Sequence, residues 1–236
     1  MKEKSGETDT EIIKKMFNKR KETCEIYKNK KKVSGSVSME ESEEVSEKLF
    51  GNKAKSLEEF KRLVETEDWE NLFTTVKVKE GEFLNTPAGV IHGGGGGGKM
   101  MMTFSTNSDI TYRFYDYGRN DPARRLHLEQ VYDCVNIPEV PFGSVHAVPE
   151  EVDGVRIYHY YCKAGEYTAK RIDVDGSGRY RQEEFYFLFC AEGSGTVGGE
   201  PLPEGQTIFV PAGYGDLELD GAMKLYLISY EDEDRK

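Results

Sequence analysis

Histidine is scarce in this chain: four occur in 236 residues, and none precedes His92. Cysteine is equally rare. Cys24, Cys134, Cys162 and Cys190 are widely separated, so no Cys-x-x-Cys pair offers a thiolate zinc site. The expectation is four reduced thiols in a cytoplasmic protein. No apolar run approaches the roughly 18 residues that span a bilayer. The N-terminus, MKEKSGETDTEIIKK, has no apolar core, so it does not read as a secretory signal. Positive charge is outweighed as well. The net charge of −11 argues against nucleic acid, because phosphate backbones are held by basic surfaces. No membrane partner is expected either.

What is present suits a folded chain. Hydrophobic residues make up 37% and aromatics 11%. The N-terminal third is charged, lysine-rich over residues 14–32 and acidic over residues 40–48, as a solvated face or arm would be. Two helices are expected there. Ser38 with Glu41 forms a capping-box pattern ahead of MEESEEVSEKLF, and Gly51 would end that helix. Ser56 with Glu59 repeats the pattern for LEEFKRLVE, where Leu57, Phe60, Leu63 and Val64 share one helical face. Asp68 would start a short turn, WENLF.

Beyond residue 74 the chain reads as β. TTVKVK, EFLNT, KMMMTF and TYRFYDY are short strand-like runs between glycine-containing breaks. A proline-rich link over residues 136–154 follows, then VRIYHYYC, YTAKRIDV, EEFYFLFC, TIFVPA and MKLYLISY. Asp175-Gly176 and Gly193–Gly195 are read as hairpin turns, the first in preference to a calcium loop for DVDGSG. His146 and His159 read as structural. His127, beside Arg124 and Arg125, reads as a surface residue with a phosphate contact as the other option. The fold class expected is mainly β with some α, in four parts: a helical, charged segment 1–73, a first β unit 74–140, a linker 141–154 and a second β unit 155–236.

One pattern repeats. Glu80-Gly81-EFLNT-Pro87-Ala88-Gly89-Val90-Ile91 delivers His92, and Glu204-Gly205-QTIFV-Pro211-Ala212-Gly213-Tyr214-Gly215 delivers Asp216. Each is expected to be a turn, a strand and a second turn set by Pro and Gly. The glycines Gly93–Gly98 satisfy G-x-G-x-x-G trivially. A nucleotide loop needs a helix after it, and a strand-like run follows here, so they read as a flexible loop.

The repeated pattern resembles the second sequence motif of cupins, small jelly-roll barrels whose motif histidine often binds a metal. Two cupin-like units are implied, the second without a metal histidine. More narrowly, KSLEEFKRLVETEDWENLFTTVKVKEGEFLNTPAGVIH, NSDITYRFYDYGRND and RRLHLEQVYDCVNIPEV resemble the type I phosphomannose isomerases. The resemblance implies a zinc-dependent aldose–ketose isomerase that interconverts mannose 6-phosphate and fructose 6-phosphate, with a phosphosugar as its partner molecule. It places His92 at the family's zinc histidine and Arg113 at its active-site arginine. Three features depart from the family. Its upstream Gln-x-His stretch has no counterpart. Val33-Ser34-Gly35 stands where a Lys-Thr-Glu ligand segment is expected, and Lys21-Glu22-Thr23-Cys24-Glu25 is a displaced echo that makes Glu22 and Glu25 weaker ligand candidates. Met101–Ser105 carries no carboxylate where the family has an acidic residue. The resemblance therefore also implies a first unit that begins late, an N-terminally incomplete copy. It leaves two further options open, a non-catalytic phosphosugar-binding or degenerate paralogue and a purely structural interaction module. Oligomeric state is not legible.

Overall fold

The computed structural model describes residues 34–38, 46–93, 101–105, 111–116, 121–138, 145–163 and 166–230. They are mainly β and fall into two compact units, one within Cys24–His146 and one containing Ala147–Lys236. Among the described residues no helix is long and apolar enough to cross a membrane.

The first unit holds two three-stranded antiparallel sheets. In one, β1 (Ser34–Ser38) lies between β4 (Phe83–Thr86) and β6 (Met101–Ser105). In the other, β2 (Ser46–Asn52) lies between β3 (Phe73–Val78) and β5 (His92–Gly93). Among the described residues three helices accompany them: α1 (Leu57–Glu65), α2 (Trp69–Leu72) and α3 (Leu128–Cys134).

The second capping box forms. The Ser56 hydroxyl accepts from the Glu59 amide at 3.2 Å, and the Glu59 carboxylate accepts from the Lys55 amide at 2.8 Å, one residue before the cap. Phe60, Leu63 and Val64 are buried, as their spacing requires. The first expected helix is overturned where it is described: Ser46–Asn52 is a strand, and residues 39–45 lie outside the described set. Pairing on both edges, with β3 and β5, outweighs the helical preference of the glutamates. Gly51 is no helix stop. It sits at φ 90° within β2, where the register with β3 shifts between Leu49 and Asn52. TYRFYDY is not a strand over its described residues, 111–116. WENLF supplies α2, one helical turn.

An aromatic cluster binds α1, α2 and α3 together. Phe60 meets Phe114 at 5.4 Å and Tyr132 at 6.1 Å, and Trp69 stacks on Phe73 at 5.6 Å between ring centres. Ile91 and Phe114 belong to the same buried group.

The second unit is a seven-stranded antiparallel sheet. Its order is β11 (Glu200–Pro203), β10 (Tyr186–Val197), β13 (Leu217–Ser229), β9 (Thr168–Tyr180), β8 (Val155–Cys162) and β7 (Glu150–Val152), with β12 (Thr207–Val210) also on β10. One face buries Ile157, Ile172, Val174, Leu188, Leu219, Leu225 and Leu227. The expected hairpin turns at Asp175-Gly176 and Gly193–Gly195 are overturned: both lie inside long strands. Gly195, Gly221 and Gly176 stand side by side across β10, β13 and β9. A Cβ on Gly195 would lie 2.1 Å from the Asp220 carbonyl oxygen, and one on Gly221 2.6 Å from that of Ser194. Gly195 and Gly221 allow close backbone approach within the sheet rather than chain reversal. His159 is exposed on β8, 3.3 Å from the Glu150 carboxylate.

Tyr158, Arg171 and Tyr226 form a row across β8, β9 and β13. The Arg171 guanidinium lies 3.8 Å from the centre of the Tyr158 ring and binds Asp173 through two nitrogens, at 2.8 and 3.0 Å. Tyr160 packs against Tyr226 beside it. Burial pushes the Tyr160 hydroxyl up to about 12 from 10.0, and burial raises Tyr226 as well. Since the folded value lies above the unfolded one, the stability contributed by Tyr160 is complete below pH 10 and is lost as pH rises through about 12. Thermal midpoints measured across that window should fall steeply in the wild type and less steeply in Tyr160→Phe. Parallel curves would contradict the assignment.

Candidate functional site

The repeated pattern is a repeated structure. In the first copy, β4 begins two residues after Gly81 and a turn closes at Ala88-Gly89; in the second, β12 begins two residues after Gly205 and the turn closes at Ala212-Gly213. The opening turns match in their hydrogen bonds. The Glu82 amide donates to the Lys79 carbonyl and the Gln206 amide to the Pro203 carbonyl, both at 3.2 Å. Gly81 and Gly205 have φ 71° and 76°, and Gly89 and Gly213 have φ 90° and 71°. The last residues differ in consequence. Asp216 is exposed and faces Arg181 at 3.6 Å, a surface ion pair at the end of its turn. His92 is half-buried and opens β5 opposite Phe50.

The His92 ring has a defined tautomer. Its Nδ1 lies 2.9 Å from the Val90 carbonyl oxygen, which only accepts, so Nδ1 carries the hydrogen. The lone pair is then on Nε2, an atom shielded from solvent. A backbone carbonyl on one ring nitrogen is the arrangement that orients an imidazole for metal ligation through the other.

The segment leading to His92 is tied down carbonyl by carbonyl. The Asn136 side-chain amide donates to Ala88 O at 3.0 Å and the Asn136 backbone amide to Gly89 O at 3.0 Å. His92 takes Val90 O, and the Gly51 amide donates to Ile91 O at 2.5 Å. The Asn136 carbonyl accepts in turn from Asn52 Nδ2 at 3.0 Å, and Asn52 Oδ1 accepts from the Ala54 amide at 3.1 Å.

Arg113 is half-buried between Tyr112, which packs against the buried aromatic cluster, and Phe114, which meets Phe60 within it. Ile91, just before His92, joins the same cluster, so one core anchors the segments carrying both residues. The Arg113 backbone is clamped by His127: its amide donates to His127 Nδ1 at 3.0 Å, and the His127 amide donates to Arg113 O at 2.8 Å. Among the described residues the guanidinium has no ion-pair partner. The neighbouring cation Arg124 lies 3.5 Å from Asp116. His127 is thus a strut for Arg113, a role with no signature in its local sequence. Asn136 and Asn52 were equally invisible, since their partners lie 48 and 84 residues away.

Zinc needs about four donors. His92 fits one position of such a site by tautomer and by shielding. Among the described residues no group of three or more His, Cys, Asp or Glu could hold a metal, so these residues alone do not complete one. Glu22 and Glu25 lie outside the described residues, as do Gly94–Gly98.

Comparison with known proteins bears on the same segments. Mannose-6-phosphate isomerase ManA of Bacillus subtilis (strain 168) is 30% identical over 184 residues, which span 75% of this chain and 58% of that protein. The chain is a homologue of the mannose-6-phosphate isomerases. A Streptococcus mutans mannose-6-phosphate isomerase is 29% identical over 193 residues, 78% of this chain and 59% of its own length. The crystal structure of the B. subtilis mannose 6-phosphate isomerase superposes with a TM-score of 0.72 at 27% identity, covering 84% of this chain and 64% of that one. A zinc-bound mannose 6-phosphate isomerase shares the fold, with a TM-score of 0.60 at 12% identity. No protein-family profile matches the chain. The chain spans just under three fifths of the length of the curated isomerases it matches.

Proposed function

We propose that this chain acts on a phosphosugar as a mannose-6-phosphate isomerase does, interconverting mannose 6-phosphate and fructose 6-phosphate. The observation that carries this reading is His92: a ligand-ready imidazole, fixed by a turn–strand–turn, in a chain homologous to enzymes of that name. The reaction moves a proton between C1 and C2 through an enediol, so charge develops on oxygen and needs cationic partners. Arg113 supplies a permanently charged guanidinium on a clamped backbone, and its fork suits an enediolate or a phosphate. His92 Nε2 would ligate zinc, with Glu22 and Glu25 as the proposed further ligands. Zinc, when bound, supplies Lewis acidity toward the sugar carbonyl. The cupin relationship of the two units, and their division near residues 141–154, belong to the same proposal. So does a cytoplasmic location, which the free thiols Cys134, Cys162 and Cys190 favour.

A second reading has its own support. Met101–Ser105 offers no carboxylate for proton transfer, and the described residues complete no metal site. A non-catalytic phosphosugar-binding protein meets both facts. A coupled assay that detects fructose 6-phosphate from mannose 6-phosphate separates the two. Turnover that requires zinc supports the isomerase. Absence of turnover, with Arg113-dependent thermal stabilisation by mannose 6-phosphate in metal-free protein, supports the binding protein.

A further inference from the structure

The turn before His92 is more heavily restrained than a turn of its kind requires. The second copy shows what the turn alone needs. Gly213 also has a positive φ, its amide donates to the Glu183 carbonyl, and a Cβ built on it meets nothing within 4 Å. A Cβ on Gly89 would lie 2.5 Å from Asn136 Oδ1, so the Asn136 amide is pressed against the turn. Asn136 also supplies the donors to two of the four carbonyls that lead from Ala88 to Ile91. The restraint is present in the copy that ends in a histidine.

We propose that Asn136 is a positioning residue for His92, holding the Ala88–Gly89 carbonyls so that the Val90 carbonyl can fix the imidazole with hydrogen on Nδ1 and the lone pair on Nε2. The ligating role of that lone pair rests on the proposed function; the positioning of the ring does not. The chemistry is specific to an amide. An aspartate at 136 would set a carboxylate oxygen against the Ala88 carbonyl oxygen, two acceptors in contact. The same argument fixes the orientation of the Asn136 side chain, since a flipped amide would oppose two oxygens. Asn52 completes the device. It is 5% exposed and donates to the Asn136 carbonyl, so Asn136 is itself held from beneath by a buried group.

The test reads the His92 ring in metal-free, nitrogen-15-labelled protein by long-range proton–nitrogen correlation, and zinc affinity by competition with a chromogenic chelator. The wild type should show predominantly the Nδ1–H tautomer. Asn136→Ala and Asn136→Asp should both yield mixed tautomers and a zinc affinity lower by about 10–100-fold, the range for orienting partners of metal ligands. Gly89→Ala, which drives a methyl group into the Asn136 amide, should behave like them. Gly213→Ala, also at a positive φ but with no clash, should leave the His92 ring as in the wild type. An unchanged tautomer in folded Asn136→Ala and Asn136→Asp overturns the proposal. Altered tautomers in a protein whose wild type binds no zinc leave the positioning role standing and remove the ligand reading of His92.

Discussion

On the proposed function, Arg113→Ala should lower turnover of mannose 6-phosphate by about 10²–10³-fold, the usual cost of losing one group that stabilises charge developing in a transition state. The protein should remain folded. The two hydrogen bonds that hold this position use the Arg113 backbone and His127, and both survive truncation of the side chain. Arg113→Lys should recover little, because a single ammonium cannot reproduce the planar fork against two oxygens. A coupled assay with and without saturating substrate distinguishes the roles. A fall in kcat at constant KM places Arg113 on the enediolate, and a rise in KM alone places it on the phosphate. Activity within threefold of wild type in Arg113→Ala would remove it from the site.

Phe60→Ala should destabilise the first unit by about 3–5 kcal/mol, the range for deleting a fully buried aromatic ring. Phe60 is 0% exposed and is the ring on which Phe114 and Tyr132 both pack. Its loss leaves a cavity directly beneath the segment that carries Arg113. Urea unfolding would show the lowered midpoint, and turnover should fall in folded protein because Phe114 no longer fixes its neighbour. Phe60→Leu, which refills much of the volume, should cost much less. A destabilisation below about 1 kcal/mol for Phe60→Ala would mean that the cluster is not the unit's core.

The parts legible in the sequence are those written in local chemistry. Ser56 and Glu59 announced their helix because a cap is a contact three residues long. The Pro-Ala-Gly turns at residues 87–89 and 211–213 announced themselves because positive φ selects glycine wherever the fold needs it. The errors share one cause. Ser46–Asn52 has helix-forming neighbours, yet β3 and β5 pair with both its edges, and those partners lie more than twenty residues away. Gly176 and Gly193–Gly195 look like turn residues, but they lie inside long paired strands, where distant backbones crowd Gly193 and Gly195. The candidate site divides the same way. The turn that leads to His92 was readable, whereas His127 and Asn136 act through contacts that link separate segments and leave no local mark.

The central claim is that the turn–strand–turn from Glu80 presents His92 as a metal ligand. The most direct measurement is the zinc content of purified protein, saturated with zinc and passed through a desalting column, compared between wild type and His92→Ala. The wild type should retain about one zinc per chain and His92→Ala almost none, with both folded by circular dichroism. Equal zinc in the two proteins, or a wild type that retains none, would contradict it.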